Sequence, residues 1–140
     1  MQLNQATDYS FRVILHLTLK DTIVSAKELA EQEQVPMRFL LKILGSLVKA
    51  GILKSYRGQE GGYALAKDPK DITLLDVIEA MEGPIAINRC LTHQDYCSKR
   101  WTKVCPVHNV LGNIQKELVD DLSKHNFQDL INSYRSCQNE

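Results

Sequence analysis

The segment from Ser25 to Ala66 constrains the fold most tightly, because it holds two helical patterns of unequal length and then two strand patterns, with only short turns between them. Ser25 and Glu28 have the spacing of a capping box, in which each side chain satisfies a backbone N–H at a helix start; Leu29 and Ala30 follow as the buried face, and this short helix ends near Glu33. Pro36 suits the first turn of the next helix, where its missing N–H has no helical partner. Phe39, Leu40, Ile43, Leu44, Leu47 and Val48 then form an apolar stripe that Gly51 closes. Arg38, Leu41, Lys42, Gly45 and Lys49 recur at steps of three or four on the opposite side, so they point outward together. Leu53 to Tyr56 and Tyr63 to Ala66 have strand character, and the glycines of Arg57-Gly58-Gln59-Glu60-Gly61-Gly62 permit the reversal of a hairpin. Helix, turn, helix and hairpin in that order make a winged helix-turn-helix.

The flanking sequence extends this unit. Ala6, Tyr9, Val13 and Leu17 repeat at helical spacing and predict a first helix that packs on the core. Thr73 and Asp76 cap a fourth helix through Leu74, Val77, Ile78 and Met81, which Gly83-Pro84 ends. Residues 84 to 104 lack any sustained period, and a loop of that length inside a compact domain is usually functional or disordered. Pro106 opens a long helix in which Val107, Leu111, Ile114 and Leu118 recur at steps of four, three and four, the spacing of a coiled-coil seam, so a second copy of the chain is the expected partner. Asn126 and Asp129 start a last short helix with Leu130, Ile131 and Tyr134, leaving Ser136 to Glu140 as a frayed tail. The predicted class is mainly α: a winged helix-turn-helix with a two-stranded wing and a long C-terminal dimerisation helix. Residues 1–83 form the DNA-binding region, 84–108 the loop, and 106–135 the dimerisation and C-terminal helices of a single domain.

A chain of 140 residues with 44% hydrophobic content can bury one core without disulfides. No run of about 18 apolar residues exists, and Val13 to Leu19 follows Arg12 and contains His16, so neither a membrane span nor a signal peptide is expected and a cytoplasmic location follows. The formal net charge is +0, yet no Asp or Glu lies between Gln34 and Gln59, where Arg38, Lys42, Lys49, Lys54 and Arg57 all fall. In a helix-turn-helix the second helix enters the major groove, where Arg or Lys donates to guanine and apolar groups touch the thymine methyl. Arg38 and Lys42 are therefore candidates for base or phosphate contacts in double-stranded DNA, and Leu41 for a methyl contact. Arg57 and Gln59 belong to the wing, with Arg57 placed for the minor groove or a phosphate, whereas the carboxylate of Glu60 beside them is repulsive to DNA. No nucleophile–base pair and no phosphate loop is present, so an enzyme is not expected.

Four cysteines stand at 90, 97, 105 and 137, the first three within 16 residues. Without an export signal, such a cluster points to metal or redox chemistry more than to disulfides. Iron-sulfur clusters are held chiefly by thiolates, so Cys90, Cys97 and Cys105 with one further donor complete a site. Cys105 precedes Pro106 at a helix N-terminus, where the dipole favours a thiolate, and His108 lies on the same side of the first turn. Asp8, reaching over from a partner subunit, is the competing fourth donor, and His93 and Asp95 lie inside the loop. Zinc is the structural alternative, but the six residues between Cys90 and Cys97 and the seven between Cys97 and Cys105 do not match its usual close ligand pairs. Cys137 is a spare thiol.

Thr7-Asp8-Tyr9-Ser10, the run from Val35-Pro36 to Leu53, the wing from Arg57 to Tyr63, Ile72-Thr73-Leu74-Leu75-Asp76-Val77-Ile78 and the three-cysteine loop before a long helix together resemble the Rrf2 family of bacterial iron-sulfur regulators, over nearly the whole chain. The resemblance implies a winged-helix homodimer with crossed long helices and an operator affinity that changes when the cluster is lost, oxidised or nitrosylated. IscR-like members use three cysteines and a histidine for a [2Fe-2S] cluster, and that histidine falls on His108. NsrR-like members use three cysteines and a carboxylate of the other subunit for a [4Fe-4S] cluster, and that position falls on Asp8. Two departures stand out: Gln59-Glu60 replaces a more usual Pro-Gly in the wing, and the cysteine intervals are wider than in IscR. The function so implied is a regulator, and a repressor in direction, that senses nitric oxide, redox state or iron-sulfur supply. The alternative is a zinc-stabilised winged-helix protein or a metal carrier or assembly factor.

Overall fold

A computed structural model describes residues 1–140. The first helix, α1 (Gln5–Lys20), starts where the Asn4 side chain accepts the Thr7 N–H at 2.9 Å. Helix α2 (Ala26–Glu33) is capped by Ser25, whose hydroxyl accepts the Glu28 N–H at 3.1 Å. Only this half of the expected capping box forms, because the Glu28 carboxylate turns toward Lys20 instead, 3.9 Å away. Helix α3 (Met37–Lys49) begins one residue later than Pro36, which takes the N-cap position and has no side chain able to satisfy the free N–H groups of the first turn. Its core face is Leu40, Ile43, Leu44 and Leu47. Phe39, expected on that stripe, is 52% exposed. It lies about 100° around the axis from Leu40, outside so narrow a buried arc.

Strands β1 (Leu53–Tyr56) and β2 (Gly62–Leu65) pair antiparallel, from Leu53 opposite Leu65 to Tyr56 opposite Gly62, one residue earlier on the second strand than the sequence suggests. Val24, between α1 and α2, exchanges backbone hydrogen bonds of 2.9 and 2.8 Å with Tyr63 and so fastens the wing to the helices. That close approach explains Gly62, where a Cβ would collide with the Val24 carbonyl oxygen.

Helix α4 (Leu74–Glu82) carries the complete capping box of Thr73 and Asp76, with bonds of 2.9 and 3.1 Å, and ends at Gly83 as expected. Two short 3-10 turns, Arg89–Leu91 and Gln94–Tyr96, are the only regular structure in the loop before α5 (Pro106–Leu122). Helix α6 (Phe127–Gln138) includes Ser136 to Gln138, which the sequence left as tail.

One core joins Val13, Ile14 and Leu17 of α1, Leu29 of α2, the α3 face, Ile72, Val77 and Phe127. Each such side chain contributes about 1.5–3 kcal/mol by leaving water. The Leu74 N–H donates to the His125 carbonyl at 2.9 Å and the Phe127 N–H to the Ile72 carbonyl at 3.0 Å, so the start of α6 is stitched to the segment that follows the wing. By contrast, α5 has no buried residue. No helix is long and apolar enough to cross a membrane.

Candidate DNA interface and cysteine loop

The core pins one side of α3 and thereby presents the other. Arg38, Lys42, Gly45 and Lys49 are all exposed, and Leu41 is 50% exposed among them. No intramolecular ion pair engages Arg38, Lys42 or Arg57. Their charges are therefore open to an anion, and the stretch around them holds no acid to oppose one until Glu60. Arg57 and Gln59 stand exposed on the turn between β1 and β2, where Gly58 adopts φ 106. Helix face and wing thus each present exposed cations, and the wing adds a polar side chain at Gln59.

The loop places its sulfurs less regularly. Cys90 sits in the first 3-10 turn, Cys97 just after the second, and Cys105 at the N-cap of α5; all three are half-buried, whereas Cys137 on α6 is exposed. His108 meets Cys90 across the loop, with Nδ1 3.2 Å from Sγ. The sequence step alone pairs that histidine with Cys105. Asp8 is exposed on α1 and ion-paired with Arg12 at 3.1 Å, and within one chain no three His, Cys, Asp or Glu side chains form a group able to hold a metal.

The Cys97 thiol is held below its ordinary value of 9.0, chiefly by the backbone N–H groups of Trp101 and then of Lys99, against an opposing effect of burial that outweighs the smaller help of the Arg100 N–H and of the Lys99 charge. Arg100 adopts φ 54 to make this turn, and its N–H reaches the Cys97 carbonyl at 2.9 Å.

Sequence reasoning missed the residues that shape the loop. Thr102 is buried and donates its hydroxyl to the Gln94 carbonyl at 2.8 Å, stapling the second turn to the approach of α5. Gln115 of α5 accepts the Ile87 N–H at 3.0 Å. Leu91 packs over Gly112, with its Cδ2 3.4 Å from where a Cβ would stand. Isolated polar contacts of this kind leave no periodic trace, although a glycine inside α5 is a signal for close packing.

The family of which the description is "Iron-dependent Transcriptional regulator", Rrf2, matches residues 3–133. The chain belongs to the Rrf2 family. It is 30% identical over 141 positions to the HTH-type transcriptional regulator NsrR of Halalkalibacterium halodurans, covering 99% of this chain and 95% of that protein. Among solved structures, T. potens IscR superposes with a TM-score of 0.78 at 24% identity, over 99% of this chain and 91% of the other. CymR, the global cysteine regulator of B. subtilis, superposes with a TM-score of 0.71 at 22% identity, over 93% and 95% of the two chains. These Rrf2 relatives are regulators of transcription, not enzymes, so this chain is a DNA-binding regulator, and the winged helix is the fold they share.

Proposed function

We propose that the chain is a homodimeric repressor whose affinity for its operator is set by an iron-sulfur cluster held by Cys90, Cys97, Cys105 and His108. The observation that carries this is the donor chemistry of the loop: a sulfur at a helix N-terminus, a second already in contact with an imidazole nitrogen, and a third whose thiol neighbouring backbone N–H groups hold below its ordinary value. Asp8 of a second copy is the competing fourth ligand, and the choice between them goes with [2Fe-2S] or [4Fe-4S]. When bound, the cluster supplies iron that reacts with nitric oxide or changes with redox state or iron supply.

The protein's own residues connect that loop to DNA. Cys105 and His108 belong to the first turn of α5, and Gln115 and Gly112 seat the beginning of the loop on the same helix. The apolar seam of α5, with Val107, Ile114 and Leu118 exposed and Leu111 half-buried, pairs with its copy. Residues 84–108 thus act as the sensing loop and 106–135 as the dimer element. The arrangement of the two α5 helices fixes the separation of the two α3 helices, near one DNA turn of about 34 Å. Arg38 and Lys42 then contact bases or phosphates, Leu41 a thymine methyl, and Arg57 and Gln59 the adjoining groove.

The test is anaerobic isolation with an absorption spectrum and iron and sulfide counts for the wild type, His108→Ala and Asp8→Ala. A coloured wild type with one variant colourless is expected, and the colourless variant names the fourth donor. A protein that carries zinc, or no metal, or that keeps its cluster when all three loop cysteines are changed to serine overturns the proposal.

A further inference from the structure

One glycine of α3 has no reason inside the chain. Gly45 lies within a single uninterrupted helix, and its backbone does not take the positive φ that Gly51, Gly58 and Gly83 adopt. A Cβ added to it would meet nothing within 4 Å. Gly62 and Gly112 are explained by what approaches them, the Val24 carbonyl oxygen and the Leu91 side chain. Neither a turn nor a neighbour explains Gly45. Glycine is also the poorest helix former after proline, because ordering it costs the most backbone freedom, so alanine at this position would make the firmer helix.

The residues around Gly45 show where the reason lies. At 100° per residue, Arg38, Leu41 and Lys49 stand within about 40° of it around the axis, and Lys42 within about 60°. All four are exposed, as Gly45 is. Its outward neighbours are thus three cations and one leucine, on a helix without an acid. Two copies of such a face repel each other, whereas a polyanion is drawn to it. A helix dressed with side chains is about 10–12 Å across and the major groove about 12 Å wide, so a helix that enters has little slack. The side chain near the middle of its leading face then sets how deep it can sit.

We propose that Gly45 is the point of closest approach of α3 to the floor of the major groove. The missing side chain lets the helix backbone come down toward the base-pair edges, which brings Lys42 and Arg38, about one and two turns earlier, within reach of them. Gly45 is a positioning residue: it identifies no base itself and acts through the depth at which its neighbours are held. The proposal rests on the reading of α3 as the helix that enters DNA.

The experiment compares the full-length wild type with Gly45→Ala, Gly45→Leu, Arg38→Ala and Lys42→Ala. Each is titrated with a duplex that the wild type selects from a random-sequence pool and with a mixed-sequence duplex of the same length, and urea unfolding is followed alongside. Both Gly45 variants should unfold at higher urea than the wild type. On the selected duplex Gly45→Ala should bind about tenfold more weakly and Gly45→Leu about a hundredfold or more, while on the mixed-sequence duplex, held by phosphate contacts, both should stay within about threefold of the wild type. An equal loss for alanine and leucine would trace to a stiffer helix and overturns the proposal. So does an equal loss on both duplexes, or lower stability in either variant, which would reveal an internal role. If Arg38→Ala and Lys42→Ala lose affinity while Gly45→Leu does not, the assignment of Gly45 alone falls; if none of them loses affinity, the reading of α3 falls with it.

Discussion

Cys97 shows how a single residue acquires its chemistry from the backbone. The N–H groups of Trp101 and Lys99 stabilise the thiolate and not the thiol, so the folded chain holds that sulfur below its ordinary value. In metal-free protein, alkylation of Cys97 by iodoacetamide should reach half its maximal rate at a lower pH than that of a free cysteine measured alongside. The sign follows from the depressed value: the contribution of those N–H groups is fully present above the ordinary thiol range and is lost as pH falls through the shifted one. A midpoint at or above that of free cysteine would show that those N–H groups do not act on the sulfur. Gly62 gives the steric counterpart. Gly62→Ala forces a Cβ onto the Val24 carbonyl and should destabilise the chain by about 1–3 kcal/mol in urea. Gly45→Ala, at a helical position with open space, should stabilise it by roughly 0.5–1 kcal/mol. The left-handed turn at Arg100 was not legible in the sequence, because Ser98-Lys99-Arg100-Trp101 holds no residue type that announces one.

At the level of elements the sequence was easier to interpret, and the reasons are specific. Thr73 and Asp76 announced α4 because their capping box is local, and the four-three-four spacing in α5 announced a helix whose apolar side faces away from its own core. Phe39 misled because an apolar residue at the edge of a helical stripe looks the same whether it is covered or not; only the packing of α3 on α1 and α4 decides it. Glu28 misled because a second partner, Lys20, lies outside the local window. Ile114 is 49% exposed in the middle of the α5 seam. Ile114→Glu should therefore convert the dimer to monomer in sedimentation equilibrium while leaving the helical circular dichroism near that of the wild type. A dimer of unchanged stability would move the interface elsewhere.

For the whole molecule, the proposed function depends on two copies holding two basic helix faces at one spacing. Arg57→Ala should weaken binding to any duplex by a similar factor and reduce the slope of log affinity against log salt by about one. Arg38→Ala should instead relax the preference at one base position, at a cost of about 1–3 kcal/mol. Quantitative footprinting at several salt concentrations separates the two, and identical behaviour of both variants would remove the assignment of Arg38 to bases. The stitching of His125 and Phe127 to Leu74 and Ile72 carries a further consequence. The far end of α5 is anchored to the body independently of residues 84–104, so that stretch can lengthen or shorten without disturbing the frame. A lineage can thus vary the loop on one chassis while the reading head stays as it was.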